Sequence, residues 1–342
     1  MSQYSHLSIP DEEWLQLATS PPPLPQQPVS IETLRRNFSQ IAKSAERWAY
    51  PKSGLQVCEE LIPVQGTSIR IRIYVPEARN DEHLFPVLVW FHGGGFRIGD
   101  LELDDAILRQ ICSTNRVSCV NVEYRLAPEN PFPIPLQDCY DTVKWVATNA
   151  LSVSADLTKG LLIGGCSTGG NLAAVVTLKA RDDPLLKGKI TGLILQTPVI
   201  CPHTVYPEKC KSELLSMEQN KETALLTRNA LVDSWGKNVL NSRLTADYGA
   251  PDLTSADVAP LLATSHKELP PTYFQICGLD PLRDEAFLYD KILRENEVPT
   301  KVAVYSGLQH VFWIVEPLMS SSKRFREDTL DGIKWLLEVK IK

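Results

Sequence analysis

Six short apolar runs punctuate the chain: PVLVWFH (86–92), VSCVNVEY (117–124), LLIGGC (161–166), TGLILQ (191–196), TYFQIC (272–277) and KVAVYS (301–306). Each has the length and near-continuous hydrophobicity of a strand buried on both faces. Between most of them lie stretches that read as helices, at 104–112, 138–149, 171–181, 284–297 and 321–339. Buried strands alternating with helices predict a mainly parallel sheet covered on both sides. The segment SIRIRIYV (68–75) is different, because it alternates apolar and basic residues. That period of two predicts a half-exposed strand, antiparallel and close to a sheet edge.

Two regions break the rhythm. Before residue 50 the chain reads as a short helix at 12–18, a stiff proline-rich linker at 21–28 and a second helix at 31–48. Between 196 and 272 no strand stands out, only prolines and a helical stretch at 223–235, and that gap is too long for a bare loop. The expected organisation is therefore residues 1–50 as N-terminal cap helices and linker, 51–200 with 249–342 as the α/β core, and 201–248 as an inserted helical cap. The cap carries or adjoins Trp48, Tyr206 and Trp235, which would suit a bulky apolar ligand. No internal repeat is visible.

Composition narrows the function classes. At 342 residues, 43% hydrophobic and 22% charged, the chain is ordinary for a globular protein, and a net charge of −6 gives no basic footprint for nucleic acid. The first thirty residues lack the apolar core of a signal peptide and no run reaches membrane length, so a cytosolic protein without a membrane span is expected. The eight cysteines form no C-x-x-C pair and no zinc-like spacing, which predicts free thiols and no metal.

The chemistry concentrates in GGCSTGGN (164–171), where Ser167 sits in a glycine-rich turn directly after a predicted strand and before a predicted helix. Gly165-Cys166-Ser167-Thr168-Gly169 fits G-x-S-x-G, whose small residues let the chain turn sharply and lift the serine above the sheet. A phosphate loop is excluded because no lysine follows the glycines. A serine hydroxyl is a poor nucleophile at neutral pH and needs a base, an orienting acid and donors for the oxyanion. The donors have candidates in His92-Gly93-Gly94-Gly95-Phe96: the amides of Gly94 and Gly95, joined by that of Thr168, with His92 bracing the loop. Among the histidines, His310 follows the last strand at the carboxyl edge of the sheet, where ligands of parallel sheets bind. His6, His83, His203 and His266 read as surface or structural. In GLDPLRDE (278–285), Asp280, Asp284 and Glu285 all qualify as the acid, and Asp280 before Pro281 also reads as a helix cap. The chain order of serine, acid, histidine in α/β hydrolases selects Asp280. Cys166, a rival nucleophile, ends a buried strand and alternates away from Ser167.

At this point the sequence resembles the hormone-sensitive-lipase-like group of α/β-hydrolase carboxylesterases over residues 86–313. Four features in order carry the likeness: HGGGF (92–96), YRLAPE (124–129), GCSTGGN (165–171), and Asp280 followed by His310. The resemblance implies an α/β-hydrolase fold with a helical cap, Ser167 as nucleophile, His310 as base and then acid, Asp280 as its orienter, and Gly94, Gly95 and Thr168 as oxyanion donors. His92, Gly93, Gly165 and Gly169 support these motifs, and Glu129 and Asp138 match structural positions. It implies no cofactor, a small apolar ester or lactone as substrate, and pairing into a homodimer near the strand at 301–306. Cys166 and Thr168 depart from the acid and the alanine or serine usual at those positions. Two alternatives accompany the esterase reading: a dehydratase, cyclase or acyl transferase acting on a bulky natural product, and a ligand-binding receptor, which the presence of all three triad residues disfavours.

Overall fold

Period-two alternation along the buried strands divides the core into two layers. Val87, Val89 and Phe91 join Ile163, Leu195 and Ile276 in one layer, while Leu88 and Trp90 join Leu162, Ile194 and Cys277 in the other. A sheet lies between them. The computed structural model describes residues 3–17, 30–43, 50–79, 82–239 and 252–339. Its strands are β1 (Leu55–Val64), β2 (Thr67–Pro76), β3 (Val87–Phe91), β4 (Ser118–Val122), β5 (Leu161–Cys166), β6 (Gly192–Gln196), β7 (Thr272–Leu279) and β8 (Thr300–Gln309). They form one 8-stranded sheet in the order β1-β2-β4-β3-β5-β6-β7-β8. The β1–β2 and β2–β4 pairings are antiparallel, and all pairings from β4 through β8 are parallel.

The helices are α1 (Glu12–Leu17), α2 (Ile31–Lys43), α3 (Asp105–Asn115), α4 (Ile134–Thr148), α5 (Thr168–Asp182), α6 (Ser216–Gln219), α7 (Arg228–Val239), α8 (Arg283–Glu295), α9 (Phe312–Val315) and α10 (Ser320–Glu338). Helices α4, α5 and α8 bury Val143, Val175 and Leu293 in the first core layer, and α3 and α10 bury Ile111 and Ile333 in the second. Covering both faces is what lets strands as apolar as β3 and β5 exist without an exposed surface.

Three expectations are refined. The strand β1 was not anticipated: its sequence LQVCEELIPV carries paired glutamates and lies mostly exposed at the sheet edge, so it shows no clean alternation. It displaces the SIRIRIYV strand, β2, one place inward from the edge. Helix α5 begins at Thr168, three residues before the expected start, so Ser167 lies directly at its N-terminus. Strand β8 runs on to Gln309, which brings His310 to the strand's very end. The proline-rich linker, Trp48 and residues 240–248 lie outside the described residues. Among the described residues, all eight cysteines are free thiols, and no helix is long and apolar enough to cross a membrane.

One buried acid in the core makes stability depend on pH. Asp104, 4% exposed at the start of α3, accepts a 2.8 Å hydrogen bond from Trp90 Nε1. Burial pushes its carboxyl up to about 6, with neighbouring Asp100 adding to the effect. The unfolded chain, with the ordinary carboxylate value near ~3.9, loses this proton first as pH rises. Folding stability therefore falls between about pH 4 and pH 6 and stays reduced above that. Asp104→Asn keeps an acceptor for Trp90 and removes the ionisation. We expect the variant to gain roughly 3 kcal/mol over the wild type on going from pH 4 to pH 7.5, read from denaturant midpoints at the two pH values. A difference that does not change with pH contradicts the assignment.

Candidate active site

Four loops meet at the carboxyl ends of the parallel strands, the edge at which open α/β sheets bind ligands. Strands β3 and β5 are hydrogen-bonded neighbours, so the loop after Phe91 and the turn after Cys166 leave the sheet side by side. The loops after β7 and β8, also paired, deliver Asp280 and His310.

The turn at Ser167 is tight. Ser167 has φ 55° and ψ −118°, a left-handed conformation costly for a residue with a side chain. Its backbone is pinned by bonds from its N–H to Gln196 O (2.8 Å) and from Val199 N–H to its own carbonyl (3.1 Å). Gly169 passes so close to β3 that an added Cβ would overlap the Phe91 carbonyl oxygen, and Gly165 packs against Gly169 in the same way. Thr168 is the first residue of α5, and the amides of a helix's first turn have no carbonyl partner within the helix.

The loop at 92–96 is held from beneath and behind. His92 is fully buried, stacks on Tyr124 with 4.3 Å between ring centroids, and places Nδ1 2.7 Å from the Gly93 carbonyl. Burial holds the imidazole below its ordinary range, so it is neutral and Nδ1–H donates. Tyr124 Oη donates in turn to the His92 carbonyl at 2.8 Å. Gly94 adopts φ +121°, and a Cβ there would overlap the Ile98 carbonyl. From outside, Arg35 on α2 donates to the carbonyls of Arg97 (2.8 Å) and Ala127 (2.9 Å) and forms a two-bond pair with Glu129. Asp138, fully buried, accepts from the Arg125 guanidinium and amide. Glu129 and Asp138 thus hold the 124–129 loop in place, away from the cavity.

Ser167, His310 and Asp280 come together. His310 Nε2 lies 3.0 Å from Ser167 Oγ, and His310 Nδ1 lies 2.7 Å from Asp280 Oδ2. The three are 8%, 5% and 1% exposed. With a carboxylate facing it, Nδ1 carries the proton, which leaves Nε2 as an acceptor for the serine hydroxyl. The capping reading of Asp280 does not hold, because α8 starts at Arg283 with Leu282 at its cap; Oδ1 instead accepts from the Leu282 amide at 2.9 Å in the turn before the helix, while Oδ2 faces the imidazole.

Of the other residues singled out from the sequence, Cys166 borders the same cavity as Ser167, while His266, Asp284, Glu285 and Tyr206 lie away from it. His266 is buried with Nε2 on the Pro260 carbonyl at 2.9 Å. The Cys166 side chain packs in the core layer of Trp90 and Cys277, where burial pushes its thiol far above the ordinary range. Asp284 accepts from the amides of Leu215 and Ser216, and Glu285 from the Ile200 amide (2.7 Å) and Tyr206 Oη (2.6 Å). Burial pushes the Glu285 carboxyl up to about 8. Tyr206, expected as a ligand-facing aromatic, is therefore committed to this buried acid.

Residues of these loops open on a cavity of about 220 Å³. Its walls are mainly apolar, with Phe38 from α2, Phe96, Leu225, Leu226, Trp235 from α7 and Ile314 from α9, and Ser234 of α7 beside them; Gly94, Gly95, Thr168, Ser167 and His310 form the polar end. Among the described residues, none of those lining it is aspartate, glutamate, lysine or arginine. Phe38, Leu225 and Leu226 were not singled out from the sequence, since only the fold brings distant apolar residues to one wall.

Comparison with known proteins agrees with this architecture. Residues 88–314 match the family described as alpha/beta hydrolase fold. The chain is 37% identical over 270 residues to a versiconal hemiacetal acetate esterase of Dothistroma septosporum, covering 79% of this chain and 78% of that one. It is 34% identical over 283 residues to esterase LipI of Mycobacterium tuberculosis, covering 82% and 80%. Among solved structures, vibralactone cyclase superposes with a TM-score of 0.88 at 34% identity, covering 97% of this chain and 96% of that one. By family match and by relatives the chain belongs to the α/β-hydrolase fold family, as a carboxylesterase-like hydrolase acting on ester bonds.

Proposed function

We propose that the protein cleaves small, uncharged, predominantly apolar carboxylic esters or lactones through an acyl-enzyme on Ser167. The observation that carries this reading is the unbroken path Asp280 Oδ2, His310 Nδ1, His310 Nε2, Ser167 Oγ, ending at the polar end of an apolar cavity. His310 Nε2 takes the hydroxyl proton as Ser167 Oγ attacks the ester carbonyl. The amides of Gly94, Gly95 and Thr168 stabilise the oxyanion, each donor contributing about 3 to 4 kcal/mol. His310 then gives the proton to the departing alkoxide, and the same groups activate water to release the acid. Asp280 holds the imidazole in its reactive tautomer throughout. The residues 201–239, with α2, act as a cap that shapes the acyl pocket.

The proposal is tested with p-nitrophenyl acetate, butyrate, octanoate and hemisuccinate. We expect hydrolysis of the neutral esters, at least tenfold discrimination against the anionic hemisuccinate, and loss of turnover in Ser167→Ala. Equal rates on the charged ester contradict the substrate class, and turnover retained in Ser167→Ala contradicts the mechanism.

A second reading has an observation in its favour, the likeness to a vibralactone cyclase along nearly the whole chain. In that case a hydroxyl of the bound acyl group, rather than water, attacks the Ser167 ester and a lactone leaves. Hydroxy-acyl thioesters or esters offered as substrates would then yield lactone in place of free acid.

A further inference from the structure

One short stretch of chain, residues 216–226, is hydrogen-bonded to both loops that carry the acid and the histidine. Asn220, 3% exposed, donates Nδ2 to the Asp280 carbonyl at 2.9 Å and to the Gly278 carbonyl at 3.5 Å. Ser216 donates Oγ to the Pro281 carbonyl at 2.7 Å and receives the Asp284 amide at 3.0 Å. The backbone carbonyls on both sides of the acid are thereby held by side chains from outside its own loop. On the other loop, Gln309 precedes His310 and its Oε1 accepts the Leu225 amide at 3.0 Å. Leu225 and Leu226, at the end of the same stretch, are walls of the cavity that holds Ser167 and His310.

We infer that residues 216–226 brace the triad, with Asn220 the positioning residue for Asp280 and Gln309 the positioning residue for His310. The inference rests on the triad reading above. Small displacements of catalytic groups carry large kinetic penalties; a misplacement of about 1 Å can cost roughly a hundredfold. Neither Asn220 nor Gln309 lines the cavity, so each acts through the residue it holds. Because the brace continues into the wall at Leu225 and Leu226, substrate packed there bears on the same segment that aligns the acid and the base. Binding energy from the non-reacting part of the substrate is thus expressed in kcat more than in KM.

The test compares wild type, Asn220→Ala and Gln309→Leu with p-nitrophenyl butyrate, and follows the downfield imidazole Nδ1 proton of His310 by NMR, assigned by its absence in His310→Gln. We expect each variant to lose about ten- to a hundredfold in kcat with KM within about twofold. The acid side of the kcat/KM profile should move to lower pH, because the imidazolium is held less firmly by its carboxylate. The Nδ1 resonance should broaden or move upfield. Wild-type kcat, an unmoved pH profile and an unmoved resonance in both variants overturn the inference. So does a rise in KM alone, which assigns the stretch to the pocket wall and nothing more. If Asn220→Ala does not fold, Gln309→Leu carries the same readouts. If Ser167→Ala keeps its activity the triad reading fails, while the resonance still reports whether Asn220 and Gln309 position His310.

Discussion

Asp280→Asn is expected to lower kcat by about four orders of magnitude while leaving the fold and KM nearly unchanged. The size of the loss follows from how the two carboxylate oxygens are used. Oδ1 accepts the Leu282 amide at 2.9 Å, a buried N–H that must keep an acceptor. The asparagine will therefore turn its own oxygen to Leu282 and its amide nitrogen to His310 Nδ1. That nitrogen donates, so Nδ1 must become the acceptor and the imidazole proton must move to Nε2. In that tautomer His310 cannot accept the Ser167 proton, and the positive charge that forms on the ring during attack has no partner. A loss of this size corresponds to about 5 kcal/mol of transition-state stabilisation. Steady-state kinetics on p-nitrophenyl butyrate, with a thermal denaturation curve matching the wild type, checks it. A loss below tenfold in a folded variant contradicts the role given to Asp280.

Ser167→Ala carries the larger expected effect, a fall in kcat of about six orders of magnitude, the scale seen when the nucleophile of a triad is removed. The methyl group fits the same site, and alanine takes on the φ of 55° at no greater steric cost than serine. The elbow and the cavity therefore persist, and substrate still binds. What is lost is the covalent step, and what remains is the stabilisation offered by the oxyanion donors to direct attack by water.

Much of this architecture was legible in the sequence because it is encoded locally. A parallel strand buried on both faces announces itself as a continuous apolar run, as in β3, β5 and β6. The Ser167 turn announces itself because close packing against Phe91 requires glycine at 165 and 169. The edge strand β1 was not legible, since it is exposed along nearly its whole length, with Ile62 its one buried residue, and so lacks the alternation that marks a half-buried strand. Nor could local pattern decide what Asp280 does, since the helix that Pro281 seemed to open begins only at Arg283, which leaves the carboxylate to the Leu282 amide and the His310 ring. The place of Tyr206 was hidden for a related reason: its hydroxyl is claimed by Glu285, 79 residues away, and nothing near either residue in the chain signals that pairing. The braces at Asn220 and Gln309 belong to the same class. They are ordinary polar residues whose role exists only in the folded molecule, through contacts 60 and 84 residues distant in sequence.

The measurement that tests the central claim most directly is covalent trapping with diethyl p-nitrophenyl phosphate, followed by intact-mass analysis and peptide mapping. The oxygen of an activated serine displaces nitrophenolate and keeps the diethyl phosphoryl group. We predict one such group per chain, on the peptide containing Ser167, gained in step with the loss of ester hydrolysis and absent in Ser167→Ala. Loss of hydrolysis that tracks modification of a different residue, or hydrolysis that persists after Ser167 is fully modified, would contradict it.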